Sequence, residues 1–166
     1  MNPRRAIADI RYMNRLLPRA EQEAADLGDE CPGAEHLLLA AAGTTGDDTA
    51  RRALDAVGVT VDDLRSAVEQ VHRDALAAIG LAVPAVRTAA PVSRVHRSTG
   101  PAQEAFQHAV ELAHADGDRV RGGHVVMAVA AQGEGTLARA LALLGVERDG
   151  LSAAARAAVR TPGSAA

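Results

Sequence analysis

The chain has 166 residues, a length that suits one compact domain and leaves little room for two. With 18 basic and 21 acidic residues, the net charge of -3 favours neither a nucleic acid nor an anionic membrane as a partner. All the basic residues are arginine, which excludes mechanisms that need a lysine, such as a P-loop or a Schiff base.

The residue types also bear on compartment and fold class. Cys31 is the single cysteine, so neither an intramolecular disulfide nor a cysteine-rich zinc site can form. No run of apolar residues approaches the length of a membrane span, and the basic N-terminus lacks the apolar core of a signal peptide. The sequence therefore predicts a cytoplasmic protein with no cofactor. Apolar content is mostly Ala, Leu and Val, which favours closely packed helices.

The first half of the chain predicts four helices. The first covers about residues 13–27 and ends at Gly28, which can take the left-handed conformation that closes a helix. A second helix carries residues 36–42, and a third covers 48–57. Thr60 then caps a fourth helix with an apolar stripe at helical spacing.

A linker and four more helices are predicted to follow. Residues 82–99 contain two prolines and show no helical periodicity, which is typical of a linker. The later helices begin with one from near Gly100 that Gly117 closes, and then cover about 124–131, 136–144 and 148–159. We expect one all-α domain over residues 1–166, built from two four-helix repeats at about 11–80 and 100–160.

The two halves repeat one another at fixed spacing. His36 aligns with His124 and Leu38 with Val126; after a slip of one residue, Leu64 aligns with Leu151. A repeat of about 75 residues is too small to bury its apolar face well alone. The two copies should therefore pack against one another.

These residues resemble the double Clp N-terminal repeat, the amino-terminal domain of Clp-type AAA+ unfoldases, especially the ClpC type. The resemblance covers about Arg11 to Val159 and rests on four segments: GAEHLLLA, LDAVGV, QGEGTLARAL and LALLGV. It implies an all-helical, pseudo-twofold domain that recognises peptides, adaptors or substrates for an ATPase ring. The 166 residues hold no G-x-x-x-x-G-K-[ST] loop, so we expect a free-standing recognition domain that is not an enzyme.

The resemblance also implies ligand-binding residues at the start of the second helix. In ClpC-type domains, the Glu of each Glu-His pair grips the guanidinium of a phosphorylated arginine. Only Glu35 matches that position here, because Gly123 replaces the acid in the second repeat. Ala34 stands where the family usually has Thr, which removes a hydroxyl that could donate to a phosphate oxygen. Alternatively, Glu35 only stabilises the helix dipole.

A second ligand patch follows from the same resemblance. ClpC-type domains bind cyclic peptide antibiotics through phenylalanines near the domain start and just before the second repeat. Here Tyr12 and Met13 stand near the first place, and Ser98 and Thr99 occupy the second. A peptide bound there would contact these four residues. The protein could then act as a decoy for such antibiotics, or as a partner of a Clp ATPase or protease.

Metal and catalytic sites are weaker alternatives. His36 and His124 are each followed by apolar residues, so we expect structural histidines that bond to a loop carbonyl. Four residues of the fifth predicted helix share one face and could hold a divalent metal, although a solvated polar face is simpler: Glu104, His108, Glu111 and His114. No nucleophile stands beside a base, which disfavours a small His/Glu or metal-dependent enzyme.

Overall fold

The computed structural model describes residues 3–81 and 100–161. Within these ranges the chain forms eight α-helices and no strand, which confirms the all-α prediction. The helices are α1 (Pro3–Leu27), α2 (Ala34–Gly43), α3 (Thr49–Ala56), α4 (Val61–Ala78), α5 (Gly100–Ala115), α6 (Gly122–Ala130), α7 (Thr136–Leu143) and α8 (Arg148–Arg160). The predicted linker at 82–99, with Ser98 and Thr99, lies outside the described residues.

Helices α2 and α6 form the centre of the molecule. Every residue of α6 is buried, and so is every residue of α2 except the last, Gly43. A helix that is apolar all round has to be surrounded by other elements. Helix α1 packs on α2 in the same way that α5 packs on α6, and α2 and α6 contact each other. These pairs form the pseudo-symmetric core.

The outer helices connect the two repeats. Helix α3 of the first repeat packs on α8 of the second, and α4 of the first packs on α7 of the second. Each repeat therefore covers its third helix with the fourth helix of the other copy. Leu54 of α3 and Leu151 of α8 are fully buried and belong to one continuous apolar core. This interlocking agrees with the expectation that neither repeat buries its apolar face alone.

Helix α1 begins earlier than the sequence predicts, at Pro3 rather than near residue 13. The extra turns carry polar residues and half-exposed Ile7 and Ile10, so they show little amphipathic pattern. The carboxylate of Asp9 holds them to the second repeat, because it accepts the N–H of Val120 at 2.8 Å. This contact joins positions far apart in the sequence.

The helix ends follow the predicted chemistry. Thr60 caps α4: its hydroxyl oxygen accepts the N–H of Asp63 at 3.1 Å, and the Asp63 carboxylate accepts the N–H of Thr60 at 2.9 Å. Hydrogen bonds from the Thr60 side chain and backbone lower the pKa of Asp63. Gly28 and Gly117 take φ values of 81° and 68° after α1 and α5, as expected for closing glycines. No described helix is both long and apolar enough to cross a membrane.

Candidate functional site

The start of α2 carries a buried Glu-His pair. Glu35 is 9% exposed and His36 is 0% exposed. The Gly33 N–H donates to Nδ1 of His36 at 2.8 Å. Because Nδ1 accepts this hydrogen bond, the proton of a neutral His36 ring lies on Nε2. The sequence predicted that a loop carbonyl would bond to His36. That prediction is wrong for Nδ1, because its partner is the N–H of Gly33.

Two residues from neighbouring elements join this pair. Oδ2 of Asp29, in the turn after α1, lies 3.2 Å from Nε2 of His36. The same oxygen lies 3.5 Å from Nε2 of His72 on α4. One ligand atom each from Asp29, Glu35 and His72 lies within 4.8 Å of the other two. We call Asp29, Glu35, His36 and His72 the Glu35 cluster.

The sequence pointed to only half of this cluster. Asp29 follows the closing glycine of α1 directly, a place that resembles many other polar turns. His72 is eight residues beyond Leu64 and four beyond Val68 on α4, so it extends the buried stripe of that helix. A histidine on an otherwise apolar stripe was the signal available for His72. Nothing in the sequence indicated that both would lie near Glu35.

The carboxylate of Glu35 lies against the backbone of Gly33. A Cβ at Gly33 would collide with the carboxylate of Glu35, so this side chain folds back over a residue that has none. Ala34 is buried at the same helix start. The N–H groups of the first turn of a helix have no acceptor within that helix, and Ala34 and Glu35 stand in the first turn of α2. The first turn of α2 thus combines an acid with the backbone donors of a helix start.

The equivalent end of α6 is closed by the protein itself. The carboxylate of Asp47 accepts the N–H of Gly122, and Oγ1 of Thr49 accepts the N–H of Gly123 at 2.8 Å. A Cβ at Gly123 would collide with Val159 of α8 and would lie 3.1 Å from the carbonyl oxygen of Ala155. Gly123 is therefore a close-packing position between helices.

The second histidine has a similar local role. Nδ1 of His124 accepts the N–H of Arg121 at 3.1 Å, so here too the predicted carbonyl partner is wrong. Nε2 of His124 lies 3.5 Å from Oδ2 of Asp116. Burial is the largest effect on this ring and lowers the pKa of His124 despite the nearby carboxylates. His124 thus acts in the neutral form as an acceptor at the helix start.

Of the residues predicted for the antibiotic patch, Tyr12 does not lie at the surface. Tyr12 is 3% exposed and lies in the core, where burial raises the pKa of its hydroxyl. Its ring therefore offers no surface to a ligand, which corrects the sequence-based placement of Tyr12 in a binding patch. Met13 is partly exposed and remains a predicted contact. Ser98 and Thr99 lie outside the described residues.

The polar face of α5 looks outward. Glu104, Glu111 and His114 are exposed and His108 is partly exposed. In the part of the chain that the structure describes, the group with metal-binding geometry is Asp29, Glu35 and His72, and it includes none of these four. His114 instead lies 3.5 Å from the carboxylate of Asp9 on α1. This arrangement agrees with the solvated polar face that the sequence favoured.

Comparison with known proteins gives a structural relationship without a close sequence relative. No family model matches the sequence, and no curated protein matches it. Among solved structures, the chain is similar to the N-terminal domain of the caseinolytic protease associated chaperone ClpD from Arabidopsis thaliana. The alignment has a TM-score of 0.65 and 21% identity, and it covers 89% of this chain and 91% of that chain. The protein therefore has the fold of a Clp N-terminal domain.

Proposed function

We propose that this protein is a non-enzymatic recognition module of a Clp-type proteolysis system, which binds arginine-bearing peptides, adaptors or tagged substrates at Glu35 and the first turn of α2. One observation carries the proposal. The start of α2 presents a buried acid, Glu35, whereas the matching start of α6 has a glycine there and its N–H groups donate to Asp47 and Thr49. The fold shared with the N-terminal domain of a protease-associated chaperone supports this placement.

The chemistry of the α2 start fits a phosphorylated arginine. The Glu35 carboxylate presents two oxygens, which match the planar donors of a guanidinium. The N–H groups of Ala34 and Glu35 point from the first turn of a ten-residue helix, where backbone donors and the helix dipole favour an anion. Guanidinium and phosphate would then bind to neighbouring groups of one turn. The missing hydroxyl at Ala34 leaves backbone donors to hold the phosphate.

Charge in the cluster supports a cationic ligand group. The ion pairs formed by Glu35 and its neighbour His36 involve acids and imidazoles, and no arginine of the described residues pairs with Glu35. Elsewhere the buried acid Glu23 is paired with the guanidinium of Arg65. Glu35 is therefore a buried acid that lacks the arginine partner found at Glu23, and a ligand arginine would supply it.

The test is the affinity for an arginine-phosphorylated peptide, measured by fluorescence anisotropy for the wild type and for Glu35→Gln. Loss of a charge-assisted pair worth about 1.5–3 kcal/mol should weaken binding about 10- to 100-fold. Glu30→Gln is the matched control, because Glu30 is exposed in the same loop. Equal affinity of the wild type and Glu35→Gln would refute the arginine site, as would equal binding of an unmodified peptide without arginine.

A groove between the repeats supports a second candidate, binding of cyclic peptide antibiotics. It lies between α4 and α7, has a volume of about 440 Å³, and is lined mainly by Val71, Ala75, Ala78, Ala142 and Leu143. Leu143 is 55% exposed there. An apolar groove between packed helices suits an apolar peptide. Leu143→Glu should abolish binding of a Clp-directed cyclic peptide and leave arginine-peptide affinity unchanged; unaltered cyclic-peptide binding would exclude this groove.

A further inference from the structure

We propose that Asp29, Glu35 and His72 form a binding site for a divalent transition-metal ion such as Zn²⁺. The three side chains come from three elements: the turn after α1, the first turn of α2 and the middle of α4. Their ligand atoms lie within 4.8 Å of one another. Ligands of a tetrahedral ion with bonds of about 2.0–2.2 Å lie closer together than this, so small side-chain rotations would complete the site.

The donor set favours a transition metal over a hard cation. Two carboxylates and one imidazole match the mixed N/O ligands of zinc, and they leave a fourth position open for water or a ligand atom. Magnesium and calcium prefer oxygen ligands alone. The single cysteine, Cys31, is not part of the group. We therefore infer an open site with three protein ligands.

A buried and unpartnered donor points into this group. His36 is 0% exposed, and its Nε2 makes no hydrogen bond that meets normal geometry. This atom nevertheless lies 3.2 Å from Oδ2 of Asp29. Because Nδ1 of the ring accepts the Gly33 N–H, Nε2 carries the proton and faces Asp29 as a donor. A donor behind a ligating carboxylate is the kind of outer contact that orients metal ligands.

In the second repeat, an arginine lies beside an acid just before the central helix α6. Counting from the aligned histidines, Gly33 corresponds to Arg121; from the aligned leucines, His72 corresponds to Val159. The guanidinium of Arg121 lies 2.7 Å from the carboxylate of Asp118 and donates to the carbonyl oxygen of Val159 at 3.1 Å. That repeat thus supplies its own cation at the head of its central helix.

The first repeat has the opposite charge at this place. Glycine replaces the arginine, an acid replaces Gly123, and a histidine replaces the valine. Two carboxylates, Asp29 and Glu35, then converge on His72, and the ion pairs that the described residues give Glu35 include no guanidinium. Carboxylates brought this close repel one another unless a cation lies between them. A divalent ion would satisfy both carboxylates and the imidazole together.

The metal site shares Glu35 with the proposed arginine site but does not depend on it. An ion at Glu35 would occupy the carboxylate that a guanidinium needs, so the two ligands should exclude each other. His72 belongs to the metal site alone. Zinc affinity and arginine-peptide affinity therefore test the two proposals separately, and either one can fail without the other.

The experiment is a calorimetric titration of the full chain with Zn²⁺, without peptide. We expect one site per chain, with affinity lowered at least tenfold in Asp29→Asn and in His72→Gln, because each removes one of three ligands. His108→Gln is the control, since His108 is a partly exposed histidine on α5. No zinc binding by the wild type, or equal affinity in all four proteins, would overturn the site.

A measurement on the unmodified protein guards against variants that fold poorly. Side-chain nitrogen NMR should show that Zn²⁺ shifts the ring resonances of His72, while those of His108 and His114 stay in place. Shifts confined to the histidines of α5 would overturn the proposal. His72→Gln should keep its affinity for the arginine-phosphorylated peptide, whereas zinc should weaken that peptide's binding to the wild type and not to His72→Gln.

Discussion

The two central helices begin in chemically opposite ways. Helix α2 starts with a buried acid and with an imidazole beside an aspartate. Helix α6 starts with two glycines whose N–H groups donate to Asp47 and Thr49 of the other repeat. An exact repeat would place the same residues at both helix starts, whereas here α2 carries Glu35 and α6 carries Gly123 at the equivalent position. Side chains of the first repeat thus accept the first N–H groups of the central helix of the second repeat.

The difference begins with two side chains of the first repeat. Asp47 and Thr49 flank the start of α3, and the Asp47 carboxylate also accepts the Thr49 hydroxyl at 2.8 Å. Gly122 and Gly123 allow α6 to approach them, since a Cβ at Gly122 would lie 2.8 Å from that of Ala50. Gly122 and Gly123 are therefore needed for the close packing of α6, and the second repeat has no acid at position 123. Only the first repeat therefore carries an acid at the start of its central helix.

The largest effect on stability should come from Gly123→Glu, which places an acid at the start of α6 as there is at the start of α2. The new side chain would collide with Val159 and place a carboxylate beside the Ala155 carbonyl oxygen, in a site already closed. Overpacking together with a buried unpaired charge should lower the free energy of unfolding by about 3 kcal/mol or more. Urea unfolding followed by circular dichroism measures this.

The matched control for that change is Glu35→Gln, which keeps the shape of the residue at the open end and should alter stability by less than about 1 kcal/mol. If Gly123→Glu instead folded with unchanged stability and bound a second arginine-phosphorylated peptide, the closed state of the α6 start would be wrong.

A smaller effect is expected from opening the closed end with Asp47→Ala. This change leaves the N–H of Gly122 and the hydroxyl of Thr49 without their acceptor. Loss of a capping carboxylate at a helix start should cost about 1–2 kcal/mol. Thermal unfolding monitors the change.

Asp48→Ala is the neighbouring control for this prediction. Asp48 makes no side-chain capping bond, and its surface ion pair with Arg52 has an N to O distance of 3.5 Å. Its loss should therefore cost no more than about 0.5 kcal/mol. Equal destabilisation by the two changes would mean that the contact between the repeats does not depend on Asp47.

The sequence predicted the eight helices well because the residues that begin and end a helix lie close together in the chain. Closing glycines at Gly28 and Gly117, the Thr60 cap and the apolar patterns placed all eight helices, with boundaries mostly within two residues. The exception was the first ten residues of α1. These have no amphipathic face of their own and are held by Asp9, which contacts the distant residue Val120.

The site was harder to predict because its residues come together only through packing. Glu35 was found from the repeat and the family resemblance, whereas Asp29 and His72 needed the arrangement of α1, α2 and α4. Tyr12 was misplaced for a related reason. The family resemblance placed it in a surface patch, yet the ring fills the core without a hydrogen-bond partner among the described residues.

The smallest predicted effect concerns pH and the histidine of the closed end. Burial holds the pKa of His124 below its ordinary value, so below about pH 6.5 the unfolded chain takes up a proton that the folded chain does not. Stability from this group is therefore present above about pH 6.5 and is lost as the pH falls towards the lower folded pKa. Melting temperatures should drop between pH 7.5 and 5.5. His124→Asn, which keeps an acceptor for the Arg121 N–H, should show a smaller drop; an equal drop in both proteins would assign the pH dependence to other groups.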